Sequence, residues 1–124
     1  MSYSIRFDSD RRVLRLALSG FWAPPVFAAF AAEFEAAVRD IAHAHGRFDT
    51  FADASGLQVQ SVDVAQGFRY LKHVALAACP SARTAILFDS ALTRMQARRE
   101  VVDHTMRIFE SEAEALDWLA TVPA

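Results

Sequence analysis

The fold is decided by residues 48–56, which read Phe-Asp-Thr-Phe-Ala-Asp-Ala-Ser-Gly. The two phenylalanines favour a strand, and we predict a short buried one over Phe48–Ala52. Asp53 and Ser55 can hydrogen-bond nearby backbone N–H groups, and Gly56 tolerates a positive φ, so a turn that leads into a helix is expected to follow the strand. Ligands and partners of α/β domains usually bind at such strand-to-helix junctions.

The sequence before this strand predicts a hairpin and a long helix. The short segment Ser4–Phe7 and the alternating segment Val13–Leu18 are separated by a polar turn. They indicate two antiparallel strands. The Pro24-Pro25 pair suits the first turn of a helix, where a missing N–H costs nothing, and Gly46 is its expected stop. Apolar side chains at three- and four-residue intervals form the helix face that packs on the sheet: Phe27, Phe30, Phe34, Val38 and Ile41.

The sequence after the strand predicts helices that alternate with strands. Ser61 or Asp63 can cap a helix that begins near Val62. Residues 83–88 predict a strand buried on both faces. A third helix is expected after Asp89 and Ser90, and its inner side is predicted to carry Leu92, Met95 and Val102.

The last elements complete the predicted fold. Residues 105–109 indicate a final strand, and the Ser111 to Glu114 run fits a capping box that opens the last helix. We therefore predict a single α/β domain over residues 1–124, in the order β-β-α-β-α-β-α-β-α, with a mixed five-stranded sheet packed against helices.

Composition excludes several classes of protein. Hydrophobic residues make up 53% and charged residues 23%, which is typical of globular proteins. The net charge of -2 gives no overall positive field, so no nucleic-acid partner is expected. The most apolar stretch, residues 21–44, contains charged side chains that are costly in hydrocarbon, so we expect no integral membrane segment. A single cysteine, Cys79, and an N-terminus without an apolar signal predict a cytoplasmic protein.

Two segments carry a resemblance to a known family. Residues 53–59, Asp-Ala-Ser-Gly-Leu-Gln-Val, are similar to a strand end that commonly reads Asp-Leu-Ser-Gly-Leu before an acidic and an aromatic residue. Residues 108–119, Ile-Phe-Glu-Ser-Glu-Ala-Glu-Ala-Leu-Asp-Trp-Leu, resemble a short strand followed by an acidic-capped helix. With the order of elements, these segments resemble the STAS domain superfamily, and in particular its SpoIIAA-like branch. The resemblance implies a STAS-like fold and a non-enzymatic regulatory or protein-binding module.

The sequence departs from that family after the predicted turn. In the anti-sigma factor antagonists an Asp-Ser-Ser-Gly run follows, and its serine is phosphorylated to break the complex with a partner kinase. Residues 61–64 are Ser-Val-Asp-Val here, so Val62 stands at the expected hydroxyl position. Ser61 is adjacent, and Asp63 places a permanent negative charge at the helix start, where the helix dipole favours one. The predicted partner-binding or regulatory residues are Asp53, Ser55, Gly56, Ser61 and Asp63.

Catalytic and metal chemistry are not indicated. Ser55 could be an exposed nucleophile, but the glycine that such motifs carry two positions earlier is missing, and His104 is the one evident candidate base. His43 and His45 are two residues apart and point in different directions on a helix. We predict no enzyme, no metal site and no cofactor. Three arginines of the third helix could bind phosphate groups, but Glu100 and Asp103 add negative charge nearby, so a solvated face is favoured: Arg94, Arg98 and Arg99.

The loop before the first helix leaves alternatives open. Phe21 and Trp22 can cover the core, line an apolar pocket or meet another subunit. The leading hypothesis is a protein partner or a homodimer. The alternative is a small apolar-ligand or lipid carrier of CRAL-TRIO-like character, which a cavity beneath Trp22, Phe27 and Phe30 would favour.

Overall fold

The computed structural model describes residues 2–121 and contains, within them, five strands and four helices in the predicted order. The strands are β1 (Tyr3–Asp8), β2 (Val13–Gly20), β3 (Asp49–Leu57), β4 (Thr84–Leu87) and β5 (Met106–Phe109). The helices are α1 (Pro24–His45), α2 (Val62–Ala78), α3 (Ala91–Glu100) and α4 (Glu112–Ala120).

The strands form one sheet in the order β1-β2-β3-β4-β5. The β1–β2 pair is antiparallel, and the other three pairs are parallel. Each helical crossover returns the chain to the same end of the sheet, so the carboxyl ends of β2, β3 and β4 lie along one edge. We call this edge the carboxyl edge. The predicted mixed five-stranded sheet is confirmed.

The first helix forms as its sequence predicts. Pro24 and Pro25 occupy its first two positions, where their missing N–H groups leave no hydrogen bond unmade. Gly46 ends the helix with a φ of 76°, a left-handed conformation that glycine adopts without a steric cost. The buried face of the helix consists of Phe30, Phe34, Val38 and Ile41.

The sheet is covered on both faces. Because side chains alternate along a strand, even-numbered residues of β2 and β3 face one side and odd-numbered residues face the other. The main core lies on the first side, beneath α1, α2 and α3, and contains Leu14, Leu16, Ala52 and Ile86. The last helix packs on the opposite side, where the buried residues are Val13, Phe51, Ala85, Ala115 and Leu119.

The predicted turn at Asp53–Gly56 is wrong, because β3 continues through it to Leu57. Parallel pairing with β2 keeps the chain extended, and Ser19 lies opposite Gly56. Gly56 does not have a positive φ. A Cβ atom at this position would lie 3.0 Å from the Cβ of Ser19. The glycine is therefore needed for the close approach of two strands rather than for a turn.

The predicted inner side of the third helix is also wrong. Leu92 and Met95 are 67% and 64% exposed, and Thr93 and Ala97 face the core instead. Val102 lies beyond the end of the helix and packs against the main core. Two large apolar residues in a ten-residue helix do not fix its rotation, so polar contacts to neighbouring segments decide which side is buried.

A buried polar cluster joins β3, β4 and α4. The Oδ1 atom of Asp49 accepts hydrogen bonds from the backbone N–H of Arg83 at 2.8 Å and from Nη2 of Arg47 at 3.0 Å. The Arg83 guanidinium lies 3.6 Å from Oδ2 of Asp49 and donates to the carbonyl oxygens of Trp118 and Leu119. Arg83 thereby adds donors to carbonyls of the last turn of α4, where the Trp118 carbonyl also accepts from the backbone N–H and the hydroxyl of Thr121.

Candidate protein-binding site

Gln60 connects three segments at the carboxyl edge. Its Nε2 atom donates to the carbonyls of Gly20 at 2.8 Å and Gln58 at 2.7 Å, and its Oε1 atom accepts from the backbone N–H of Trp22 at 2.8 Å. Its backbone N–H donates to Oε1 of Gln96, and Nε2 of Gln96 donates back to its carbonyl. The β2–α1 loop, the β3–α2 loop and α3 are therefore held together as one surface.

Large apolar side chains on and next to these segments are exposed to solvent. Phe21 lies between Gly20 and Trp22, which both hydrogen-bond to Gln60. Leu92 lies one helical turn before Gln96, on the same helix face. Within residues 2–121, six large hydrophobic side chains are exposed. Four of them belong to these segments, and a fifth, Val62, is the first residue of α2, directly after the β3–α2 loop. Clustered exposed apolar residues mark interaction sites, whereas single ones are normal. We call these five the carboxyl-edge surface: Phe21, Val59, Val62, Leu92 and Met95.

Ser61 and Asp63 lie at the same edge. The helix begins at Val62, and the Oγ atom of Ser61 accepts a hydrogen bond from the backbone N–H of Val64 at 3.2 Å. The predicted cap is confirmed. Asp63 lies in the first turn, and both polar side chains are exposed on either side of Val62.

Asp53 and Ser55 do not join them. The Oγ atom of Ser55 lies 2.6 Å from Oδ1 of Asp53, which also accepts from the Ser55 backbone N–H. Both are odd-numbered residues of β3 and face the α4 side of the sheet, where Asp53 borders a polar depression with Arg15 and Glu112. In the described part of the chain, no histidine hydrogen-bonds to Ser55. The structure thus separates the predicted residues into two groups on different surfaces.

The two aromatic residues of the β2–α1 loop have different environments. Trp22 is buried, and its ring contacts those of Tyr3, Phe30 and Phe68. Phe21 is exposed. The ring of Phe27 occupies the space left by the missing side chain of Gly67, with no gap beneath it. Trp22 therefore covers the core, and Phe21 is the loop residue available for contact with another molecule.

Ion pairs fasten α3 and the segment after it to α2. Arg69 pairs with Glu100 at 3.0 Å, and Lys72 pairs with Asp103 at 2.9 Å. Partial burial would raise the pKa of Asp103, but hydrogen bonds from Thr105 and Lys72, together with the positive charge of Lys72, outweigh burial and lower that pKa from 3.8 to about 2.

This carboxylate predicts an acid-dependent loss of stability. Because the pKa of Asp103 is lower in the folded state, its contribution is present above pH 4 and is lost as the pH falls towards 2. The side chain is 31% exposed, so solvent screening reduces the contribution to about 1 kcal/mol. Urea unfolding at several pH values should show the stability gap between wild type and Asp103→Asn shrinking by this amount between pH 5 and pH 2. A gap that is constant over this range would contradict the prediction.

Metal-binding clusters and helices able to cross a membrane are both absent from residues 2–121. Histidine, cysteine and acidic side chains do not gather there in groups of three that could hold a metal ion. Each described helix falls short of the length and hydrophobicity that a membrane crossing requires.

Three features define the class of the molecule. They are the sheet order, the single antiparallel pair β1–β2 and the three helices over one face of the sheet. It is a single α/β domain with the SpoIIAA-like fold of STAS domains, as the sequence resemblance predicted.

Three solved structures have a similar fold over nearly the whole chain. The anti-sigma factor antagonist SpoIIAA, in its unphosphorylated form, superposes with a TM-score of 0.69 at 14% identity, covering 97% of this chain and 99% of that one. An anti-sigma factor antagonist from Mycobacterium paratuberculosis superposes with a TM-score of 0.69 at 13% sequence identity. The match covers 97% of this chain and 96% of that one. An uncharacterised protein with a SpoIIAA-like fold from Shewanella loihica superposes with a TM-score of 0.67 at 19% sequence identity. The match covers 95% of this chain and 94% of that one. No family model and no curated protein matches the sequence.

Sequence reasoning missed the residues that organise this site. Gln60 and Gln96 belong to no motif, and their pairing across 36 positions leaves no local pattern. A signal was present in α3, where Thr93 and Ala97 are spaced four apart and are both small. That spacing could have indicated the buried side.

Proposed function

We propose that this protein is a non-enzymatic regulatory module that binds another protein through the carboxyl-edge surface. The supporting observation is the group of five exposed apolar side chains on segments joined by Gln60. Such side chains gain free energy when a partner covers them, and the hydrogen-bonded base beneath them limits the entropy lost on binding.

The partner proposed is a protein of the anti-sigma factor class. Two of the similar structures are antagonists of such factors, and they share this fold over nearly their whole length. Their low identity leaves the partner itself to experiment. A second copy of this chain is the competing occupant, and the oligomeric state distinguishes the two.

Ser61 is proposed as the regulatory position. Its side chain is exposed beside Val62, so a phosphate there would place a negative charge within the apolar contact area, next to Asp63. Charge in an apolar interface weakens binding through desolvation and like-charge repulsion. Asp53, Ser55 and Gly56 are proposed to have a structural role in β3.

The test is binding to the anti-sigma factors encoded in the source genome. We expect Leu92→Gln/Met95→Gln to weaken binding at least about tenfold, because truncation of central apolar contacts costs more than about 1.4 kcal/mol. Affinity is measured by calorimetry, and mass photometry or light scattering reports the subunit count. The matched control is Tyr70→Gln, since Tyr70 is also exposed and apolar but lies against Glu35 of α1.

Four results would count against the proposal. Wild-type affinity in Leu92→Gln/Met95→Gln would exclude the surface. An equal loss in Tyr70→Gln would show that the effect is not local. Wild-type binding after Ser61 and Asp63 are both replaced would exclude those polar residues as contacts. A homodimer abolished by the double variant would replace the partner by a second copy.

A further inference from the structure

A cavity of about 120 Å³ lies between the sheet and helices α2 and α3. The space is left open because alanine occupies facing positions of the sheet and both helices, and an alanine side chain ends at Cβ. The alanines that line it are Ala52 and Ala54 on β3, Ala65 and Ala75 on α2, and Ala97 on α3. The remaining wall is mainly aromatic and aliphatic, and includes Phe30, Phe34, Phe68, Leu71 and Ile86.

The volume limits what the cavity can hold. An engineered apolar cavity of about 150 Å³ in another protein stays dry and binds benzene. The cavity is therefore suited to a molecule with a single ring or a short chain and is too small for the acyl chains of a lipid. It also lies beside Phe30 but not beneath Trp22 or Phe27, where the carrier hypothesis requires it.

Two threonines add polar groups to the apolar wall. Thr50 and Thr84 are opposite one another on β3 and β4, and both line the cavity. Thr50 is 5% exposed, and in residues 2–121 neither hydroxyl has a hydrogen-bond partner. A ligand that carries a hydrogen-bonding group can therefore pair with a threonine hydroxyl at this wall of the cavity.

The helix that roofs the cavity has a small apolar contact with the rest of the molecule. Its buried side chains are Thr93 and Ala97. Polar contacts at the rim hold it in place, namely the Gln60–Gln96 pair and the Arg69–Glu100 ion pair. Lifting α3 exposes little apolar surface, so the free-energy cost of admitting a small molecule is low.

We propose that this cavity is a binding site for a small, uncharged, mainly apolar molecule that carries one hydrogen-bonding group. A monohydric phenol has this chemistry: its ring occupies the alanine-lined space, and its hydroxyl pairs with Thr50. The cavity shares Gln60 and Gln96 with the base of the carboxyl-edge surface, but its ligand is tested without the proposed partner.

Phenol and toluene are matched probes, since they differ by a hydroxyl in place of a methyl group. Titration of the isotope-labelled full chain, followed by amide chemical shifts in two-dimensional NMR, should give saturable changes in β3, β4 and α3. Dissociation constants on the order of 1 mM are expected for such small ligands. Thr50→Val, which keeps the shape of the side chain, should weaken phenol about tenfold and leave toluene unchanged.

A second variant tests the location. Ala97→Leu adds three carbon atoms to the cavity and should abolish binding of both probes, whereas Ala29→Leu, at an exposed position on α1, should not affect it. The proposal is overturned if neither probe causes saturable changes, or if Ala97→Leu folds and still binds. It is also overturned if Thr50→Val leaves the phenol-to-toluene affinity ratio unchanged, because the hydroxyl of the ligand then makes no hydrogen bond to Thr50.

Discussion

Replacing Asp49 with alanine is expected to lower the free energy of unfolding by about 3–5 kcal/mol. The buried carboxylate accepts the backbone N–H of Arg83 and faces two guanidinium groups. Its removal leaves the largely buried charge of Arg83 without a counter-charge, and one backbone donor without an acceptor. Urea unfolding at pH 7, followed by far-ultraviolet circular dichroism, measures the loss.

Arg47→Ala is the matched control, because it removes the other partner of the same carboxylate. The Arg47 side chain is 37% exposed, so water and Arg83 compensate for its loss, and we expect a cost of about 1 kcal/mol or less. If the two variants were equally destabilised, the cluster would be an ordinary surface ion pair. The expected difference would identify Asp49 as the residue that joins β3, β4 and α4.

The fold was predictable because its signals are local. The proline pair, the recurring aromatic residues and Gly46 define α1 within 23 residues, and Ser61 and Ser111 cap their helices as expected. Strand boundaries were less accurate because pairing determines them. Residues 53–56 have the composition of a turn, yet parallel pairing with β2 holds them in β3. The tertiary context overrides a weak local preference here.

The candidate site was harder to predict because its organisation is not local. Ser61 and Asp63 were found from capping chemistry, which acts within four residues. The exposure of Leu92 and Met95 was missed, since apolar residues in a helix are expected to face the core. Their orientation depends on the Gln60–Gln96 hydrogen bonds, which join segments distant in sequence. A functional surface that places large apolar residues in water is a common reason for such a failure.

Trp22→Ala should be as destabilising as the loss of Asp49, at about 3–5 kcal/mol. The indole is 1% exposed, contacts three other aromatic rings, and donates from Nε1 to the carbonyl of Ser19 at 2.8 Å. Truncation leaves a large cavity and removes the indole hydrogen bond to Ser19. Chemical denaturation, followed by circular dichroism because the substitution removes a fluorophore, gives the free energy.

The neighbouring residue provides the control that separates stability from binding. Phe21 is 59% exposed, so Phe21→Ala should change the free energy of unfolding by no more than about 0.5 kcal/mol. The same variant should weaken the proposed partner, because Phe21 belongs to the carboxyl-edge surface. If Phe21→Ala destabilised the fold as much as Trp22→Ala, the loop would serve the core alone. A stable Phe21→Ala variant with reduced affinity for the partner would show that the two adjacent residues have different roles. Trp22 would stabilise the fold, and Phe21 would bind the partner.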